Sequence, residues 1–236
     1  MKLGIICPMK IEAEAIKAAM ADVTVETVGG IEYTIGTIGS TEIVCAVCGV
    51  GKVFAGICAQ TMIIRYAPDA IINTGVGGSL SRELAIGDVA VSDFVVQHDM
   101  DTSPLGDPVG LISGLDLIHI PADEKLGDAM MAILTDMGIH CIKGTIASGD
   151  QFVASPEEKA RISETFHAVV CEMEGGAVGQ VCAVNHVPFC VIRAVSDNAD
   201  TGAVEDFPTF AANVANNSAN AVITLAKKGN DQGILP

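Results

Sequence analysis

The chain of 236 residues has no tryptophan, two tyrosines and seven phenylalanines, and its 13 lysines and arginines face 29 aspartates and glutamates, a formal net charge of −16. Four of the cations are arginines: Arg65, Arg82, Arg161 and Arg193. A phosphate backbone or an anionic bilayer is held by clustered lysine and arginine, and no such cluster occurs. Neither a nucleic acid nor a membrane is therefore an expected partner. A long apolar run is missing too. The mean hydropathy is +0.46, yet no uninterrupted stretch approaches the roughly 18–20 residues that span a bilayer. The opening MKLGIICPMKIEAEAI reaches Lys10 and Glu12 after one short apolar stretch over 3–7. That is too little for a signal-peptide core, so the expected location is cytoplasmic.

Several catalytic patterns are also absent. There is no GxSxG nucleophile elbow. The five histidines (His98, His119, His140, His167, His186) show no HxxxH spacing, and His98 with Asp99 and Asp101 is the nearest approach to a metal-ligand group. Of eight cysteines, Cys7, Cys58, Cys171, Cys182 and Cys190 sit inside apolar runs and read as small buried hydrophobes. Cys45 and Cys48 form a lone CxxC, with neither the second pair of a zinc site nor the helix start of a redox pair. No metal and no cofactor is expected.

What the chain does have is apolar content (50%) and 25 glycines, enough for a large core. Short apolar runs at 3–7, 23–28, 32–38, 43–47, 70–73, 89–96, 141–147, 168–171 and 189–195 read as strands. Helical patterns at 10–20, 52–66, 124–137, 157–165, 176–185 and 207–227 alternate with them. Continuous apolar runs suit strands covered on both faces. The expectation is α/β: a three-layer α/β/α sandwich around a mixed sheet, one domain over 1–228 with a polar tail at 229–236. The irregular stretch 99–123, with Pro104, Pro108 and Pro121, is too long for a simple connection and reads as functional or interfacial.

Four places carry chemistry. INTGVGGSL, within 71–80 (IINTGVGGSL), reads as a strand ending in a glycine-rich turn that a ligand can approach closely. Leu80 stands where GxGxxG needs glycine, and the lysine of a phosphate loop is missing. In VVCEMEGGAVGQV, Glu172 and Glu174 follow an apolar run, two positions apart on one face of a strand end, where α/β proteins bind ligands. In FCVIRAVSDNAD, Arg193 lies within an apolar strand and needs a carboxylate, for which Glu172 and Glu174 are candidates. Ser196-Asp197 tops the same strand, where a buried Asp becomes a candidate general acid. Glu12 and Glu14 follow the first strand on different helix faces, and spacing alone does not choose between them.

Taken in order, GIICPMKIEAE, INTGVGGSL, GDVAVSDFVVQHDMD, SGDQFV, EMEGGAVGQV and RAVSDNAD resemble the nucleoside phosphorylase/nucleosidase superfamily. Most closely they resemble the 5′-methylthioadenosine/S-adenosylhomocysteine nucleosidases, from Met1 to about Leu225. The resemblance implies a nucleoside phosphorylase-like fold, a homodimer and irreversible hydrolysis of an adenine N-glycosidic bond. It implies Asp197 as proton donor to adenine N7, with Ser196 beside it, and Glu12 as the group that positions or activates water. Glu172 and Glu174 become substrate-binding, with Glu174 on the ribose hydroxyls and Met173 against the sugar. Phe152 would stack on the purine, the Val153 backbone would read its edge and Arg193 would organise the acids. Met9, Val50 and Phe207 would line the pocket and Gly78 would border it. The implied substrates are 5′-methylthioadenosine and S-adenosylhomocysteine, with 5′-deoxyadenosine and futalosine-type groups as alternatives. A phosphorylase needs a cation for phosphate, so the acid at position 12 and the scarcity of arginine favour water. A phosphorylase or a nucleoside sensor on this fold stand as the alternatives. Two positions depart from the family pattern. Val76-Gly77 replaces a pair ending in alanine, and Leu105 stands where relatives place an aromatic residue of the partner subunit in the 5′ pocket.

Overall fold

The computed structural model describes residues 1–228; the tail at 229–236 lies outside the described residues. Ten strands form one sheet: β1 (Lys2–Cys7), β2 (Ala21–Val28), β3 (Ile31–Ile38), β4 (Thr41–Val47), β5 (Ala70–Ser79), β6 (Val89–Gln97), β7 (Ile120–Pro121), β8 (Cys141–Ser148), β9 (Ala168–Glu172) and β10 (Phe189–Asp197). Six α-helices flank it: α1 (Lys10–Ala18), α2 (Lys52–Tyr66), α3 (Glu124–Asp136), α4 (Pro156–Phe166), α5 (Gly175–Asn185) and α6 (Ala203–Lys228). Helices α1, α3 and α6 cover one face and α2 and α5 the other. The α/β architecture with a mixed sheet expected from the sequence is present.

The sheet is mixed because β2–β3–β4 is an antiparallel meander, after which β4 pairs parallel to β1 and β1 parallel to β5. Beyond β5 the sheet closes on itself. β5 pairs parallel with β10, β10 antiparallel with β6, then β8 and β9 follow in parallel, and β9 returns antiparallel to β5. The closure explains the glycine-rich stretch. The expected turn after Asn73 is instead continuous strand, because β5 runs to Ser79 and exchanges β1 for β9 along its length. At Gly77 a Cβ would lie 2.6 Å from Val170 Cγ1 and 2.9 Å from the Cys171 carbonyl, so β9 can approach only a glycine.

Local signals set the helix ends. Ser155 caps α4 by accepting from Glu158 N at 3.2 Å, with Pro156 in the first turn. Asp123 caps α3 through Leu126 N at 2.9 Å. Helix α6 begins four residues before the expected Phe207, and Pro208 lies inside it. Pro208 sits in the first two turns, so little of the amide ladder is lost there. The 99–123 segment holds a 3₁₀ turn at Ser103–Leu105, strand β7 and a bridge between Ile112 and Leu117.

Candidate active site

A cavity of about 300 Å³ opens where the ends of β1, β5, β9 and β10 meet the starts of α1 and α5. Met9, Glu12, Val50, Gly78, Phe152, Val153, Glu172, Met173, Glu174, Ser196, Asp197 and Phe207 all line it. Sequence reasoning missed Pro8, Gln151 and Cys171, whose types carry no distinctive signal in their segments. Burial pushes the Cys171 thiol up to about 12, so it is no thiolate nucleophile.

Folding chooses between the first two acids. Glu12 is 2% exposed, whereas Glu14 faces solvent. Glu12 occupies the third position of α1 and reaches back to accept from Met9 N at 2.6 Å. Its other oxygen accepts from Val76 N at 3.0 Å, which ties α1 to β5. Burial raises its pKa to about 7, against the lowering effects of the Arg193 charge and these two amides.

Glu172 and Glu174 do not share a strand face, as the sequence suggested. Strand β9 ends at Glu172, and Glu174 precedes α5 as its N-cap. Glu172 accepts from the backbone N of Glu174 and of Gly175 (3.0 and 2.8 Å), from the Ser148 hydroxyl, and from Arg193 in a direct ion pair. Both its oxygens are thereby occupied. It lines the cavity with its carboxylate engaged by these protein groups. Arg193 is fully enclosed and is not among the residues that line the cavity; its contacts are to the acids and to β5. It donates to the Asn73 side chain at 2.6 Å, and Glu174 lies 3.6 Å from it. Asn73 was not singled out in the sequence; a lone polar residue in an apolar strand was the available signal.

Glu174 lines the cavity; its Oε1 accepts from Gly51 N at 2.9 Å and its Oε2 is the oxygen that lies 3.6 Å from Arg193. Gly51 has φ +102°, so glycine is what lets its amide point there. Burial, then the charge of Glu172, raises the Glu174 pKa, and Arg193 opposes both. Asp197 is 3% exposed. Its oxygens accept from Ala199 N at 2.9 Å and from the Ser196 hydroxyl at 2.8 Å. Its pKa is raised by burial, with those two hydrogen bonds opposing. Gly78 lies beneath it: a Cβ there would stand 2.8 Å from Asp197 Oδ1. At the mouth, Phe152 and Phe207 meet edge to face, with centroids 5.6 Å apart.

No lysine or arginine lines the cavity. Among the described residues no group of three or more His, Cys, Asp or Glu could hold a metal ion. His98 is buried, Asp99 is held by Lys52 Nζ at 2.5 Å, and Asp101 accepts from Ser103 N. Cys45 and Cys48 are both buried free thiols. Among the described residues no helix is long and apolar enough to cross a membrane. Within one chain Leu105 is 84% exposed and does not reach the cavity.

A carboxylate-lined nucleoside-sized cavity at the strand ends of this sheet defines an enzyme class, and the sequence model described as "Phosphorylase superfamily" matches residues 2–227. The chain belongs to that superfamily. It is 37% identical to the 5′-methylthioadenosine/S-adenosylhomocysteine nucleosidase of Shewanella loihica over 96% of this chain and 99% of that one. A Helicobacter pylori nucleosidase mutant with 5′-methylthioadenosine in its active site superposes with TM-score 0.93 at 34% identity, covering 96% and 98%. The futalosine hydrolase of Helicobacter pylori gives the same score and identity, covering 97% and 98%. Within the superfamily the chain falls among the 5′-methylthioadenosine/S-adenosylhomocysteine nucleosidases, which are N-glycosyl hydrolases.

Proposed function

We propose that the protein hydrolyses 5′-methylthioadenosine and S-adenosylhomocysteine to adenine and the 5-substituted ribose, with Asp197 as general acid at N7. Adenine leaves poorly as an anion, so the acid must be protonated and close to the base. Burial raises the Asp197 pKa in that sense, and Phe152 and Val153, which line the same cavity, are the groups assigned to hold the purine. As the glycosidic bond opens, the sugar gains positive charge, which Glu174 and Glu12 stabilise. Glu174 takes the ribose hydroxyls and Met173 packs on the sugar. Glu12, carrying charge above about pH 7, orients and deprotonates the attacking water.

The observation that carries hydrolysis is the cavity wall, which has four carboxylates and no cation. A phosphate dianion would meet repulsion there, whereas a neutral nucleoside and water would not. The test is a product assay on 5′-methylthioadenosine, S-adenosylhomocysteine, 5′-deoxyadenosine and a futalosine, with and without phosphate. Free sugar at the same rate in both buffers supports the reading, and strict need for phosphate with a sugar 1-phosphate product refutes it. A second reading of the 5′ group rests on the futalosine hydrolase likeness, and the same panel separates the two.

The 5′ end of the pocket also bears on assembly. Val53, Phe54 and Ile57 on α2, with Leu105, form exposed apolar surface. We infer a homodimer that covers them and brings Leu105 of one copy toward the pocket of the other. Sedimentation of the purified protein checks this, and a monomer at working concentration would refute it.

A further inference from the structure

We propose that Lys159 is a positioning residue for glycosidic bond cleavage, holding the peptide unit that aims Asp197. The inference rests on the reading of Asp197 as the acid. Lys159 lies on α4, and its Nζ donates to the carbonyl oxygen of Asn198 at 2.7 Å. The amide of that same peptide unit, Ala199 N–H, donates to Asp197 Oδ1 at 2.9 Å. A peptide unit is planar, so fixing its carbonyl fixes the direction of its N–H. Lys159 therefore controls one oxygen of the acid through a single rigid plane.

Two further features make the tether consequential. Ala199 sits at φ +51°, a left-handed conformation that a residue with a Cβ adopts only when its surroundings hold it. Its side chain is fully buried in a small cluster with Leu80 and Val153, so the turn has little room to relax without moving the pocket wall. And in a chain with sixteen surplus negative charges, no carboxylate among the described residues lies within ion-pair distance of Lys159. Its ammonium is given to the main chain. A cation on the carbonyl also polarises the amide, strengthening the bond that pins Oδ1. With Oδ1 held by the Ala199 amide and Oδ2 accepting from the Ser196 hydroxyl at 2.8 Å, the tether and Ser196 together set the carboxyl plane that faces the base.

The test is a kinetic cycle on 5′-methylthioadenosine with wild type, Lys159→Met, Asp197→Asn and the double variant. Lys159→Met should lower kcat about tenfold, the loss of a charge-assisted hydrogen bond, with KM and thermal midpoint unchanged. Lys159→Arg should restore kcat. In the Asp197→Asn background, Lys159→Met should have no further effect, because the tether acts through the acid. Wild-type kcat in Lys159→Met, a loss confined to KM or to the thermal midpoint, or an undiminished loss in the Asp197→Asn background would each overturn the proposal. If Lys159→Met does not accumulate as folded protein, Lys159→Gln carries the same comparisons. Full turnover by Asp197→Asn alone would remove the acid reading and this proposal with it, whereas full turnover by Lys159→Met alone removes only the proposal.

Discussion

The amide of Val76 donates to Glu12 Oε1 at 3.0 Å, so the strand that closes the sheet also aims the acid that leads the first helix. Together with the Met9 amide on Oε2, this fixes the carboxylate while burial keeps its affinity for protons high. Glu12→Gln keeps the shape and can keep one acceptor for these amides. It should lose turnover by about 10²–10⁴-fold while an unhydrolysable substrate analogue binds nearly as tightly. Single-turnover rates and calorimetric Kd values check it.

The raised Glu12 pKa has a consequence for stability. In the folded state it titrates near 7, above its ordinary 4.5 when unfolded. The folded form thus binds more protons between these values, and the contribution from Glu12 is full below about pH 4.5 and lost as pH rises through 7. The stability of Glu12→Gln relative to wild type should rise by about 1–3 kcal/mol from pH 5 to pH 8. Urea unfolding of the ligand-free enzymes at a series of pH values measures the difference, and a flat difference would contradict the burial account.

Arg193 and Glu172 form an ion pair without solvent. Removing one partner leaves the other as an uncompensated buried charge. Arg193→Met should destabilise by about 3–5 kcal/mol, and Arg193→Met with Glu172→Gln should recover part of it. Denaturant midpoints of the single and double variants give the coupling.

Gly78 is tight for a different reason than Gly77. A Cβ on Gly78 meets Asp197 Oδ1 at 2.8 Å and Ala199 Cβ at 3.0 Å. Gly78→Ala should displace the acid, lowering kcat by about tenfold or more, with a stability cost of about 1–3 kcal/mol. Steady-state kinetics beside a thermal melt separate the two effects.

Much of this was legible in the sequence. Local patterns were enough for β1, α2 and the capped start of α4, because apolar runs and a Ser-Pro-Glu-Glu start are decided within a few residues. The order of acids at 12, 172, 174 and 197 marked the pocket. What was not legible depends on contacts distant in sequence. Asn73 to Ser79 reads as a turn because the reason for its glycines, the approach of β9, lies about ninety residues away. Glu12 and Glu14 are equivalent until α1 docks against β5. The groups that occupy Glu172, the Arg193 guanidinium, the Ser148 hydroxyl and the Glu174 and Gly175 amides, come largely from segments distant in sequence.

The most direct test of the account is the rate of adenine release from 5′-methylthioadenosine by Asp197→Asn, measured on folded protein shown to bind the nucleoside. The account predicts a fall in kcat of about 10²–10⁴-fold, with binding retained. Turnover near the wild-type rate would contradict it.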